Sequence, residues 1–250
     1  MLASDKCLAT IVAMRILAGH RFSTEIACAV AIIGSVVAVD RVSIEAAEVT
    51  ELSAYPPSGF RKIESVVEAP GGKFVIEQWW KRGAGEGGQD LYQTWLVPKA
   101  GSPVRLPEVT LAGEWEGNDS GSVGFPSAFY FSPDAAYIFR EQKIAHGVNG
   151  AYLYRRKAEP KYGVAVSDLY IRASKFFTRT TQLQWGNDTG IVEFSAWKPN
   201  DILILKLRGY ADGRKFAVEN WQCAYNPATD KFVIPATWKE TNKKTITAVR

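Results

Sequence analysis

A proline-centred turn that recurs three times constrains the fold of this chain more than any other feature. Pro70, Pro133 and Pro199 are separated by 63 and 66 residues, and each is followed by Gly, Asp or Asn. Proline presets φ at the second position of a tight turn, and Gly, Asn and Asp tolerate the backbone angles that follow. Each proline is therefore predicted to join a short strand to a longer apolar strand. The longer strands are Phe74–Trp80, Tyr137–Lys143 and Ile202–Leu207.

A β-hairpin is predicted after each of these strand pairs, because a second pair of apolar runs is separated by Gly, Pro, Asn or Ser. Four strands in each of three units predict an all-β domain of three four-stranded antiparallel, blade-like repeats, at about 60–110, 120–167 and 188–236. The predicted hairpins are Leu91–Val97 with Val104–Leu106, Ala151–Arg156 with Tyr162–Val166, and Phe216–Ala224 with Lys231–Ile234.

The second unit, over residues 129–156, has the most regular pattern. It predicts strands at Phe129–Ser132, Ala136–Glu141 and Ala151–Arg156, with turns at Pro133–Asp134 and Gly147–Gly150. The pattern S-P-D-x-x-x-I-x-F, followed by G-x-x-L-Y, resembles one repeat of the TolB-like β-propellers. The resemblance implies a fold and no particular activity. It rests on Ser132, Pro133, Asp134, Ile138, Phe139, Gly150, Leu153 and Tyr154.

The number of units departs from a complete propeller. Propellers close with about four to eight blades of about 40 to 45 residues, so three longer units do not close a ring by themselves. Three arrangements follow as alternatives: an open or partial propeller-like stack, a ring completed by a second copy of the chain, or repeats packed as a sandwich or barrel.

Two segments outside the repeats are predicted separately. Residues 168–183 carry apolar side chains near helical spacing behind a Ser-Asp pair that suits a helix cap, which predicts a short helix. Residues 237–250 are polar and rich in lysine, and they predict a final edge strand or a frayed tail.

The amino-terminal segment predicts export. Ile26–Val39 is an apolar run of 14 residues, shorter than the roughly 20 needed to span a bilayer but suited to a secretory signal. Residues 1–38 are therefore predicted to be a leader cleaved after Ala38, with Met1 or Met14 as its start. Residues 39–59 form a linker and 60–250 the β domain, in the periplasm or outside the cell. The alternatives are an uncleaved leader, which would be the chain's only link to a membrane, and a buried helix.

Charge and cysteine content exclude several classes of function. The net charge of +4 is spread thinly, and no run of Lys and Arg is longer than the three residues Arg155–Lys157, so no nucleic-acid partner is expected. Cys7 and Cys28 lie in the predicted leader, and Cys223 alone cannot form an internal disulfide or a cysteine metal site. No metal site and no cofactor is predicted.

Two similar loops are the candidate ligand-binding segments. The runs WEGNDSG, within 114–121, and WGNDTG, at 185–190, each precede the first strand of a unit. A Trp ring beside Asn and Asp suits a sugar, so the loops predict a glycan-binding face on which both rings are partly exposed. The alternative is a tight Asn-Asp turn with the Trp as a lid over a core. The candidate residues are Trp115, Asn118, Asp119, Trp185, Asn187 and Asp188.

Catalysis has less support in the sequence. His146 is the only histidine outside the leader and lies in a predicted turn, and no G-x-S-x-G motif is present. The sequence therefore predicts an exported, non-catalytic binding protein of the cell envelope, with a carbohydrate or an envelope protein as partner. The alternative is a glycan-directed hydrolase that uses loop carboxylates. Its candidates are Glu114, Glu116, Asp119 and Asp188.

Overall fold

The chain folds into three separate antiparallel sheets that follow one another in sequence. The computed structural model describes residues 54–83, 90–107, 122–123, 125–145, 147–186 and 190–249. All of them belong to one compact unit. The predicted leader and most of the predicted linker lie outside the described residues.

The first sheet has the order β1-β2-β3-β4, and a fifth strand, β5, pairs with β3. Its side chains alternate between two faces, as the two-residue period of a strand requires. On β2, Phe74 and Ile76 lie on one face, while Glu77 and Trp79 alternate with them. The strands are β1 Arg61–Glu68, β2 Phe74–Lys81, β3 Leu91–Pro98, β4 Val104–Arg105 and β5 Ser122–Val123.

The second and third sheets repeat the same up-and-down order. The second runs β6-β7-β8-β9, and the third runs β10-β11-β12-β13, with β14 pairing with β12. The second sheet comprises β6 Ser127–Phe131, β7 Tyr137–Ala145, β8 Val148–Ala158 and β9 Lys161–Val166. The third comprises β10 Ile191–Lys198, β11 Ile202–Ala211, β12 Phe216–Asn226, β13 Lys231–Val233 and β14 Ile246–Ala248.

The proline turns occupy the same position in all three sheets. Pro70, Pro133 and Pro199 each lie between the first and second strand of a sheet, as predicted. Pro70 begins a three-residue 3-10 turn, and the Asn200–Asp201 pair after Pro199 has positive φ at both positions. The predicted hairpins and the three sheet repeats are confirmed. The sheets are open, and the described strands do not close into a ring.

One predicted turn is misplaced. The prediction puts it at Gly147–Gly150, and Gly147 does lie in the turn with φ 74°, but β8 begins at Val148, and Asn149 pairs with Lys143 across the hairpin. Gly150 is in the strand for a different reason, since a Cβ there would lie 2.3 Å from the hydroxyl oxygen of Tyr152. The glycine makes room for that ring rather than for a change of direction.

The predicted short helix is present as α1, Leu169–Thr181. Its first residue follows Asp168, whose side chain does not cap the helix. The carboxylate instead accepts a hydrogen bond from Nε of Arg172 at 2.6 Å. The tail holds the predicted edge strand, β14, and also a second helix, α2 Lys239–Lys244, that was not predicted.

Two hydrophobic clusters hold the sheets together, one on each face of the second sheet. Ile138 lies in the cluster shared with the first sheet, and Phe139, the next residue along β7, lies in the cluster shared with the third sheet and α1. The smaller cluster includes Phe74, Ile76, Leu96, Phe129, Ile138, Tyr152 and Tyr162. The larger one includes Phe139, Leu153, Phe177, Val192, Leu205, Trp221 and Tyr225.

Side-chain amides also connect the sheets, by closing the edges of their first strands. Gln78 of β2 donates from Nε2 to the carbonyl oxygen of Ser127 at 2.6 Å and accepts from its N–H at 2.7 Å. Asn149 of β8 makes the same pair of bonds with Val192 of β10, at 2.7 and 2.8 Å. Each amide replaces the neighbouring strand that β6 and β10 lack on that side.

Candidate functional site

The structure describes only part of the two predicted binding loops. The first, 114–121, and residues 187–189 of the second lie outside the described residues, so ligand binding by the five candidates there stays a prediction. Those five are Trp115, Asn118, Asp119, Asn187 and Asp188. The four carboxylates of the hydrolase alternative lie outside the described residues too.

Trp185 is described, and the exposure predicted for its ring is wrong. The residue is 3 % exposed, its ring makes an edge-to-face contact with Phe177 at 5.0 Å, and its Nε1 donates to the hydroxyl of Tyr170. A Cβ at Gly190 would lie 2.3 Å from Nε1 of Trp185, so the ring folds back over the glycine that ends the motif. Trp185 is a lid over the larger hydrophobic cluster beside α1, which we call the helix-side core. This was the alternative interpretation of the loop.

The proline turns of the second and third sheets bring Asp134 and Asp201 together. Asp134 accepts hydrogen bonds from Oγ of Ser132 and from the N–H of Ala136, both at 2.8 Å. Burial opposes its charge, but these bonds and Arg156 hold the pKa of Asp134 below its ordinary value. Burial and the neighbouring Asp134 raise the pKa of Asp201.

The two carboxyl groups are close enough for their charges to interact. The hydrogen bonds that Asp134 accepts from Ser132 and Ala136 close the turn that the S-P-D motif forms.

The first strands of the three sheets meet at a groove of about 560 Å³, which we call the first-strand groove. The rings of Tyr130 and Phe194 lie in its wall, stacked with centroids 4.0 Å apart and planes 12° apart, and each is half-buried. The end of β1 and the turn at Pro70 form the opposite wall. The lining residues are Val67, Glu68, Ala69, Pro70, Gly71, Gly72, Phe129, Tyr130, Phe131 and Phe194.

The free edge of β6 runs along this groove. Ser127 turns both its N–H and its carbonyl away from β7, because both bond Gln78. Backbone groups of successive strand residues point to opposite sides, so those of Phe129 and Phe131 also point away from β7. No strand pairs with β6 on that side, and no described residue bonds these groups. The groove therefore presents unpaired backbone donors and acceptors between apolar walls.

The corresponding edge of β10 is occupied. Asn149 takes both backbone groups of Val192, and the N–H of Phe194 donates to Oε2 of Glu141 at 3.2 Å. Burial, Glu141 and Glu193 together raise the pKa of Tyr130, so its hydroxyl is neutral and can donate a hydrogen bond at the groove. Within the described strands, β6 therefore keeps four unpaired backbone groups, at Phe129 and Phe131, whereas three of the four at Val192 and Phe194 of β10 have partners.

Sequence reasoning missed the groove because its residues come from three distant segments. The local signal is the run FYF at Phe129–Phe131, which has three adjacent aromatic side chains although a strand with one buried face needs only every second one. Aromatic residues on both faces of a first strand indicate that both faces, and the edge between them, either pack against other residues or bind a ligand.

Comparisons with known proteins do not identify the chain: no protein-family model, no curated protein and no solved structure matches it. Within the described ranges, no helix is long and apolar enough to cross a membrane. Nor do three or more His, Cys, Asp or Glu side chains of the described part gather as ligands for a metal ion.

Proposed function

We propose that this protein is an exported, non-catalytic interaction module of the cell envelope that holds an extended peptide segment of a partner protein in the first-strand groove. The observation that carries the proposal is the pair of outward-facing backbone positions, Phe129 and Phe131, on the open edge of β6. An extended peptide satisfies such groups by adding a strand to the sheet.

The walls of the groove suit the side chains of such a peptide. A strand laid against β6 directs alternate side chains to its two faces. One set then meets Phe131, on the side of the first sheet, and the other meets Tyr130 and Phe194, on the side of the third sheet. Apolar residues at alternate positions of the peptide would bury against these rings. The edge offers two residues for pairing, so we expect a short and weakly bound segment.

Proline substitution at Phe131 tests the backbone pairing. Phe131→Pro removes an outward N–H but no bond to β7, and proline is tolerated on an edge strand. Phe131→Ala removes the same ring and keeps the N–H, so it is the matched control. Peptides of about nine residues selected from a random phage-displayed library on the full chain should bind Phe131→Pro at least about fivefold more weakly than Phe131→Ala.

Amide hydrogen exchange supplies the second measurement. The N–H groups of Phe129 and Phe131 should exchange quickly in the free protein and slow down when a selected peptide is added. The N–H of Tyr130 points to β7 and should stay protected in both states. Equal binding by the two Phe131 variants, with no change in exchange at Phe129, would reject peptide pairing.

Glycan binding is the second candidate, and the half-buried rings of Tyr130, Phe131 and Phe194 favour it. Aromatic rings at an open groove can stack on sugars, and unpaired backbone groups can bond sugar hydroxyls. A glycan array probed with wild type, Tyr130→Leu and Tyr210→Leu tests it, since Tyr210 is an exposed tyrosine outside the groove. Loss of a glycan signal in Tyr130→Leu alone would support the glycan over the peptide.

The proposed architecture is an open, propeller-like stack of three blades. The equal strand order and the equivalent proline turns support it. A ring completed by a second copy would double the mass in solution, which light scattering measures.

Export predicts that a bacterium with a secretion system yields a chain beginning near Val39. Terminal sequencing that returned Met1 or Met14 would reject cleavage.

A further inference from the structure

A second cavity, of about 410 Å³, lies between the second sheet and the β12–β13 turn of the third sheet. We call it the basic cleft. Strands β8 and β9 form one wall, and Arg172 of α1 with Tyr225 and Asp230 forms the other. It is separate from the first-strand groove, with which it shares no lining residue.

Arg155 and Lys157 supply the positive charge at the mouth of the cleft. They lie on the same side of the second sheet, because Arg155 pairs directly with Gly163 and the Lys157 side chain, at a β-bulge between Arg156 and Ala158, lies over that glycine. Both are exposed, and neither forms an ion pair with any residue that the structure describes. In contrast, Arg156 between them points to the other face, where it donates to the carbonyl oxygen of Asp134 and to Glu159.

Gly163 shapes the cleft and positions Lys157. It lies directly opposite Arg155 across the β8–β9 pair. A Cβ there would lie 2.3 Å from Cε and 2.9 Å from Nζ of Lys157, so the lysine side chain crosses β9 over the glycine. Any other residue at this position would push the ammonium group out of its place.

The acidic groups of the cleft are already occupied. Asp230 accepts from Nη1 of Arg172 with both oxygens, at 2.7 Å each, and from the hydroxyl of Tyr225 at 2.7 Å. The Tyr225 and Arg172 hydrogen bonds hold the pKa of Asp230 below its ordinary value, so it stays ionised. Arg172 is held on its other side by Asp168. This carboxylate is therefore neutralised by its own partners, and Arg155 and Lys157 keep charge for a ligand.

We propose that the basic cleft is a second ligand site, distinct from the proposed peptide groove, that binds a small anion carrying a phosphate or carboxylate group. Arg155 and Lys157 bind the anionic group, and the gap over Gly163 receives it. Arg172 positions the far wall through its bonds to Asp168 and Asp230.

Calorimetric titration of the full chain with inorganic phosphate and, separately, with citrate tests the site and distinguishes the two sources of the anion. Sodium chloride at matched ionic strength corrects for screening. We expect saturable binding of at least one of the two, weakened about tenfold by Arg155→Gln and by Lys157→Gln. Arg61→Gln removes one exposed charge from the first sheet and should bind as wild type does.

Gly163→Ala separates a positioned lysine from a general positive charge. The substitution keeps the net charge, and the atoms that a Cβ would displace belong to the flexible end of Lys157. The unfolding midpoint of the variant should therefore equal that of wild type. Binding should nevertheless weaken as it does in Lys157→Gln. Equal weakening by Arg61→Gln and Arg155→Gln, wild-type binding by Gly163→Ala, or no binding of either anion beyond that of chloride would overturn the proposal.

Discussion

The two interfaces that join the sheets bury different chemistry. Between the first and second sheets lies Arg140, which is 1 % exposed and donates to Ser127, Tyr154 and Gln142 at 2.8 to 3.1 Å. The rings of Phe129 and Tyr152 flank its guanidinium group. Between the second and third sheets most of the described buried side chains are rings and aliphatic groups, and α1 adds to them.

This difference separates two ways of joining sheets. The bonds of Arg140 are directional, so they fix how the first sheet sits on the second, although desolvation of the cation offsets part of their gain. Hydrogen bonds also cross the second interface, from Nε1 of Trp197 to the carbonyl oxygen of Tyr130 and between Asn149 and Val192. Most of its described buried side chains are apolar, so its stability comes mainly from buried area. An amide pair accompanies both interfaces, at Gln78 and at Asn149, so edge closure is common to them.

Replacing the buried cation should have the largest effect. We expect Arg140→Ala to lower the free energy of unfolding by about 4 kcal/mol, because it empties the slot between two rings and leaves buried hydroxyl and amide groups without their donor. Denaturant unfolding beside Arg61→Ala, an exposed arginine on the first sheet, measures it. A loss below about 1 kcal/mol would show that the first interface does not depend on Arg140.

Removing the lid of the apolar interface should have the next largest effect. Trp185→Ala should lower the free energy of unfolding by about 3 kcal/mol, since the ring is buried against Phe177 and the helix-side core. Thermal unfolding beside Tyr210→Ala, which truncates an exposed ring on the same sheet, measures it. If both variants unfolded at the same midpoint, the lid would be dispensable.

The two amide contacts should contribute equally. Gln78→Ala and Asn149→Ala each leave a buried backbone N–H and carbonyl unpaired, so each should lower the free energy of unfolding by about 2 kcal/mol. The double variant should lose about the sum, because the two contacts share no partner. Gln184→Ala, at an exposed glutamine, is the control. A loss at only one of the two sites would mean that only one interface uses edge closure for stability.

The smallest effect concerns Glu141, at the edge of the apolar interface. Burial and the charge of Glu193 outweigh the Phe194 hydrogen bond and raise the pKa of Glu141. A raised pKa in the folded state gives stability that is full below the unfolded pKa and is lost as pH rises through the folded pKa. The unfolding midpoint of wild type should therefore fall more than that of Glu141→Gln between about pH 4 and pH 7. Parallel profiles would contradict this sign.

The proline turns and hairpins were predictable because they depend on neighbouring residues. Pro133 and Asp134, for example, set the φ angle and the side-chain hydrogen bonds of their own turn. The misplaced turn at Gly147–Gly150 has the opposite origin. Gly150 accommodates Tyr152, and Asn149 closes the edge of a sheet more than 40 positions further along the chain. From residue type alone, both Asn149 and Gly150 are predicted to form a turn.

The same limit explains the errors at the candidate sites. Next to Asn and Asp, Trp185 is predicted to be a binding ring. Its ring contacts Phe177 and Tyr170 instead, which lie outside the local sequence pattern. Asp168 is predicted to cap the helix, but its carboxylate accepts a hydrogen bond from Arg172 instead. The first-strand groove and the basic cleft are built across sheets, so they appear only once the repeats are stacked.

The carboxy-terminal helix completes β12, and this has a consequence for biogenesis. Strands β13 and β14 cover the two ends of β12, and the side chain of Asn242 bonds the N–H and carbonyl of Gln222 in the gap between them. A ribosome delivers this residue after every described strand except β14 has been synthesised. Until then, β12 offers an open stretch of backbone to any neighbouring chain. A translation product that ends before Asn242 would therefore be a candidate for strand exchange and aggregation, even though strands β1 to β13 are present.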